Sequence, residues 1–218
     1  STSDVLEHLG AAGVTPSAAL RAHLGVSAQT LTRLVAALGE EVVRIGRGPA
    51  TRYARTRALE GLGRRLPVFR VNERGGVAAD GELHILLGRR TYWERGQPGR
   101  SRLFEGLPPA LVDMAPQGYL GRGFSTRHST ELRLPGRLAD WSDDHRIIAL
   151  ARRGDDCVGD LIAGNESLQR FLAHPVEEAR TEDYPALARR SASLEAGSSA
   201  GGERPKFGVL VDGRPRLV

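Results

Sequence analysis

The chain has 218 residues, 40% hydrophobic and 26% charged, with a formal net charge of +5; that balance excludes wholesale disorder and makes nucleic acid a reasonable partner. A lone cysteine, Cys157, excludes any disulfide within the chain and points to a reducing compartment. No apolar run approaches the ~18 residues of a membrane span and no signal-peptide pattern opens the chain, so the expectation is a soluble, cytoplasmic protein with no membrane partner.

In chain order, Ser3 is placed to cap a first helix with Val5, Leu6 and Leu9 on one face, broken by Gly10 and Gly13. A second helix starts with Thr15 as cap and Pro16 as first residue, and Gly25 ends it in the left-handed conformation. Ser27 caps a third, in which Leu31, Leu34, Val35 and Leu38 recur at i, i+3, i+4 and i+7, and Gly39 closes it. The stretch "EVVRIGRGPATRYART" then alternates and turns at Gly46–Pro49, a hairpin.

Three short helices, a tight Leu24–Gly25–Val26 turn and a basic hairpin specify a winged helix-turn-helix over residues 1–60. The free face of its third helix would carry Ala28, Gln29, Thr30 and Arg33. Glutamine and arginine can read base edges, and a threonine can reach a phosphate or a thymine methyl. The hairpin adds Arg44, Arg47, Arg52 and Arg55. Between Val42 and Arg65 seven arginines (44, 47, 52, 55, 57, 64 and 65) face one acid, Glu60, a local +6 against +5 for the whole chain. Double-stranded DNA is therefore the expected partner, because counterion release rewards clustered cations. Pairing on a palindromic site would make the protein a homodimer. A module serving only dimerisation or protein contact stays open at this point.

The remainder is mixed. "LPVFRVNERGGVAADGELHILLG" reads as two or three strands around Gly75–Gly76 and Asp80–Gly81, and "RGQPGRSR" as an exposed loop. One short helix follows Pro108 and another starts near Gln117; "SDDHRIIALARRGDD", capped at Ser142, "NESLQRFLAHP" and "EDYPALARRSASLEAG" are three more. Tyr92, Trp93 and Trp141 read as core or interface aromatics. His8, His23, His84, His128, His145 and His174 show no metal-ligand spacing, so no metal is expected. Residues 143–145 and 154–157 read as helix cap and turn, and Cys157 as a buried small residue.

Near the end, "SSAGGERPKF" has the parts of an anion-holding turn. Gly201 and Gly202 let successive N–H groups point one way, Ser198 and Ser199 add hydroxyls, and Lys206, the sequence's one lysine, adds a point charge before an apparent strand. A plain turn before a hairpin would look the same.

This stretch, with "MAPQGYLGRGF" (114–124) and "ALARRGDDCVGDLIAG" (149–164), resembles HipA-like serine/threonine kinases, toxins of bacterial toxin–antitoxin systems. It is most similar to the YjjJ-type branch, which carries its own N-terminal helix-turn-helix. The resemblance implies an α+β chain: the winged helix-turn-helix, then the mixed α/β N-terminal subdomain of a HipA-like kinase over residues 66–218, ending in a glycine-rich phosphate loop and a hairpin. Ser199, Ala200, Gly201, Gly202 and Lys206 would cradle ATP phosphates, and Ser198 falls where such kinases autophosphorylate. The chain departs from the pattern at Glu203, where the family has glutamine.

Phosphoryl transfer also needs a strand lysine, a catalytic aspartate and Mg²⁺ ligands, which in the family follow the glycine turn. Only eleven residues follow Phe207 here, none of them lysine. The expectation is thus the front portion of a longer kinase, with no catalytic residues of its own and no tightly bound nucleotide. ATP, Mg²⁺ and a protein substrate would belong to the full-length parent. Two alternatives stand beside it: a stand-alone winged-helix regulator, and a detached kinase subdomain acting as antitoxin to a separate catalytic chain.

Overall fold

The computed structural model describes residues 1–97, 99–157, 159–173, 180–186, 189, 208–211 and 214–217. It is an α+β protein that divides into two compact units, residues 1–66 with 81–108, and residues 67–80 with 109–218.

The first unit opens with α1 (Thr2–Ala12), β1 (Thr15–Pro16), α2 (Ser17–Leu24) and α3 (Ala28–Leu38). Two caps differ from the sequence expectation. Ser1, not Ser3, caps α1, in a capping box with Asp4; the helix runs through Gly10 and ends at Gly13, φ 71°. Thr15 and Pro16 do not start α2. The residue before a proline is pushed towards extended backbone, and both residues join a strand pair, Thr15 opposite Tyr53 and Pro16 opposite Arg52. The other caps fall as the sequence places them: Gly25 is left-handed (φ 63°, ψ 34°), Ser27 Oγ accepts from the Thr30 amide at 3.1 Å, and Gly39 closes α3.

The apolar stripes of the three helices meet in one core of Val5, Leu9, Leu20, Leu31 and Leu38, completed by Val42 and Tyr53 from the hairpin. Each fully buried leucine contributes roughly 1.5–3 kcal/mol, which makes this cluster the main reason three short helices hold together.

The hairpin is β2 (Val42–Ile45) and β3 (Arg52–Arg55), paired antiparallel with Arg44 opposite Tyr53. Because strand side chains alternate, its two faces bury different sets. Val42 and Tyr53 face the helices, while Val43, Ile45 and Ala54 pack with Leu86 and Tyr92. Those last two belong to a meander of β5 (Val77–Leu86), β6 (Arg90–Glu94) and β7 (Arg102–Glu105), ordered β7-β6-β5. Asp80–Gly81 is not a turn. Strand β5 runs straight through it, and Gly81 (φ 148°) is needed because a Cβ there would lie 2.0 Å from the Glu94 carbonyl oxygen.

In the second unit β4 (Arg65–Val71), from Pro67 onward, pairs antiparallel with β8 (Leu161–Ala163), Val68 opposite Ala163. The helices are α4 (Pro109–Met114), α5 (Gly118–Leu132), α6 (Asp143–Arg153) and α7 (Asn165–Ala173). Ser142 caps α6 as expected, with His145 Nδ1 accepting from the Ser142 amide at 3.1 Å. Phe124, Leu132, Leu134, Trp141 and Ala149 form a core. Trp141 Nε1 donates to the Pro135 carbonyl at 2.7 Å, so its polar edge is satisfied while its ring is buried.

Two of the three stretches quoted above for their resemblance hold tight junctions. Gly121 sits where a Cβ would lie 2.6 Å from the Pro116 carbonyl carbon, so only glycine lets the first turn of α5 close on "MAPQ". Ser167, fully buried, donates to the Leu150 carbonyl and accepts from the Gly154 amide, both at 2.7 Å, stapling the end of α6 to α7. Cys157 is half-buried rather than buried. The closing hairpin forms from β9 (Gly208–Val211) and β10 (Arg214–Leu217). The helix expected at 182–197 lies mostly outside the described residues, as does the turn from Ser198 to Lys206. Among the described residues no helix is long and apolar enough to cross a membrane.

Candidate nucleic-acid interface

Burying Leu31 and Leu38, with Leu34 and Val35 packed against them, turns the opposite face of α3 outward. Ala28, Gln29 and Arg33 are exposed on it. Thr30 is not presented in the same way. It is half-buried, and its Oγ1 lies 3.0 Å from Ser27 Oγ, so its hydroxyl is engaged in the cap. Thr32 is exposed instead, with its hydroxyl bonded back to the Ala28 carbonyl at 3.0 Å. The outward stripe is thus Gln29, Thr32, Arg33 and Ala36, spaced i, i+3, i+4 and i+7. The same periodicity that found the buried stripe would have found Thr32 by subtraction.

The seven arginines of the hairpin region separate into two groups. Arg44, Arg47 and Arg52 are exposed around the turn. Among the described residues Arg44 makes a single long contact, Nη2 to Thr51 Oγ1 at 3.4 Å. Arg47, Arg52 and, on α3, Arg33 have no hydrogen bond or ion pair among the described residues. The other four are committed. Arg55 Nη1 donates to the Leu6 carbonyl at 3.3 Å. Arg57 Nε donates to the Leu86 carbonyl at 3.2 Å. Arg64 Nη1 donates to the Thr56 carbonyl at 3.0 Å and faces Glu41 at 3.9 Å. Arg65 bridges Glu40 at 3.0 Å and Glu82 at 2.7 Å, and the hydrogen bond it donates to Glu82 holds its guanidinium above its ordinary range. Arg55, expected on the DNA side with Arg44, Arg47 and Arg52, is therefore tied to α1.

Electrostatically, the local +6 overstates what a phosphate backbone could meet. Glu40, Glu41 and Glu82 neutralise part of the root, and its arginines have other acceptors. What remains outward is a stripe with one amide and one guanidinium on α3, and three guanidinium groups at the hairpin turn. The first could enter a major groove; the second could meet phosphates. Ser198, Ser199, Ala200, Gly201, Gly202 and Lys206, the residues of the expected phosphate loop, lie outside the described residues.

Residues 62–172 match the family model described as "YjjJ-like toxin, middle domain". Toxin YjjJ of Escherichia coli (strain K12) is 34% identical over 194 residues, which cover 86% of this chain and 43% of that protein. The chain thus spans less than half the length of the curated relative it matches. No solved structure gives a significant match.

Proposed function

The chain belongs to the YjjJ-like toxin family, and from that premise we propose that it is the DNA-binding front portion of a HipA-like serine/threonine kinase toxin. Residues 1–60 act as a winged helix-turn-helix on double-stranded DNA, with α3 in the major groove and the hairpin turn on the backbone. The full-length parent phosphorylates a protein substrate with ATP and Mg²⁺ and regulates its own promoter. Its strand lysine and metal ligands come from sequence beyond this chain, and the stretch from Ser198 to Lys206 supplies the phosphate-facing part, with Ser198 as the autophosphorylated hydroxyl.

One observation carries the DNA reading: Arg33, Arg47 and Arg52 are exposed and unpartnered among the described residues, beside a helix face that offers Gln29 and Thr32. Elsewhere in the same stretch arginines find acceptors within the chain, so these are the cations left for an external anion. Each phosphate neutralised steepens the salt dependence of binding by about 0.9 in log–log slope. Three arginines at the turn and Arg33 together give a slope of roughly −3 to −4, whereas all seven hairpin arginines would give about −6. Titration of a labelled duplex with the whole chain at several salt concentrations measures it. A slope near zero sinks the DNA reading. For the kinase portion, a Mg-ATP titration of this chain alone should show no tight binding, and tight binding would overturn the view that the nucleotide site is completed elsewhere.

A further inference from the structure

The histidines have no metal-ligand spacing along the sequence, but the β5–β6 ladder gives one of them partners. Glu82 and His84 are two apart on β5 and so project from one face. Across the ladder, Glu94 on β6 is the register partner of Glu82. Carboxylates directly opposite on neighbouring strands repel, so this pair needs a cation between or beside it. Arg65 Nη1 supplies part, donating to Glu82 Oε2 at 2.7 Å, and His84 Nε2 lies 3.0 Å from Glu94 Oε2. Gly81 lets the two strands close tightly just here. One potential ligand atom from each of Glu82, His84 and Glu94 lies within 4.8 Å of the other two. His84 is only 8% exposed and its ring lies against Tyr92, centroids 5.8 Å apart. Its direction is therefore set by packing, while the two carboxylates are accessible enough to adjust.

We propose that Glu82, His84 and Glu94 form a binding site for a divalent transition-metal ion, with zinc the probe that suits one imidazole and two carboxylates. Metal–ligand bonds of about 2.1 Å in tetrahedral geometry put ligand atoms about 3.4 Å apart, so closing the site takes side-chain movements of about an ångström. The neutral imidazole offers its Nε2 lone pair, and its contact with Glu94 is replaced by coordination of the same ion. Arg65 keeps Oε2 of Glu82 and orients that carboxylate, leaving Oε1 for the metal, as outer partners of ligating carboxylates do. Two negative ligands balance the charge of the ion. Three protein ligands leave a fourth position for water. Bound there, the ion ties β5 to β6 and stabilises the folded state by mass action.

The experiment is zinc titration of the whole chain after chelator treatment, by calorimetry and by thermal unfolding. One-to-one binding and a raised Tm are expected. His84→Gln and Glu94→Gln, each checked for folding by circular dichroism, should weaken binding by at least about tenfold. If His84→Gln does not fold, the exposed Glu94 position carries the test. A competing source exists in the first unit, since the rings of His8 and His23 lie 4.1 Å apart. The His8→Gln/His23→Gln variant should bind zinc unchanged. Loss of binding there with retention in Glu94→Gln overturns the assignment. So does absence of binding by the unaltered chain at millimolar zinc, or sulfur in the first shell by X-ray absorption, which would place the ion at Cys157.

Discussion

At the turn of the β2–β3 hairpin, Arg44, Arg47 and Arg52 stand exposed. At its root Arg55, Arg57, Arg64 and Arg65 all end on carbonyls or carboxylates of the chain itself. The residue type is the same, yet the two groups do opposite things. Near the turn the arginine side chains stay exposed, although β1 pairs with β3 at Arg52, whereas at the root the strands are packed between helices and meander. There Arg57 and Arg64 reach the carbonyls of buried Leu86 and Thr56, which are costly to leave unpaired. Counting charge along a segment therefore gives an upper bound on what a nucleic acid can recruit.

The largest effect should come from removing what holds the root. Leu86 is fully buried against Val43, Ile45 and Ala54, and Leu86→Ala should cost about 2–5 kcal/mol in a denaturant titration. A cost below about 1 kcal/mol would mean that the meander does not hold the hairpin.

Next, Arg44→Ala/Arg47→Ala/Arg52→Ala should leave the unfolding midpoint nearly unchanged. It should flatten the salt dependence of duplex binding by about 2.7 in slope. Lost stability with an unchanged slope would reverse the assignment of turn and root.

A single root arginine gives a smaller but cleaner contrast. Arg64→Ala removes a charged donor from the carbonyl of buried Thr56 and should cost about 1–3 kcal/mol, against a change within about 0.5 kcal/mol for Arg47→Ala. Equal costs would erase the distinction.

The smallest effect lies in the second unit and checks how a half-exposed ion pair behaves away from the hairpin. Arg153 Nη2 donates to both oxygens of Glu131, at 2.5 and 2.7 Å, and holds that carboxyl below its usual range. A depressed folded-state value means stability that is present above the unfolded value of about 4.3 and lost as pH falls through the folded one. Because Glu131 is half exposed, solvent screening limits this to about 1 kcal/mol or less. The stability gap between the protein and Glu131→Gln should exist at neutral pH and vanish in acid. A gap that persists in acid would assign it to something other than this pair.

Much of the first unit is readable from residue order. Gly25, Ser27 and Gly39 act where sequence places them, as does Ser142 in the second unit, because a cap depends on neighbours within one turn of backbone. The α3 stripe is readable for the same reason, its period being local. Thr30 is less exposed than its place in the sequence suggests because its hydroxyl has a near partner in Ser27. Thr15 and Pro16 form a strand rather than a helix start because their partners, Tyr53 and Arg52, lie far along the chain. The proposed ion site shows both limits together. The i, i+2 relation of Glu82 and His84 is visible in the sequence once β5 is known, while Glu94 enters only through strand register.

By itself, then, the sequence determined the first three helices and most of their caps, the hairpin, the basic excess, and the three quoted stretches on which the family resemblance rests, all matters of local order and composition. Only the tertiary structure decided which arginines remain available, that residues 81–108 group with residues 1–66 in one unit and pack on the β2–β3 hairpin, and that Glu82, His84 and Glu94 converge. The reason is physical: backbone conformation responds to residues within a turn or two, whereas charge neutralisation and ligand geometry depend on which distant elements the hydrophobic core brings together.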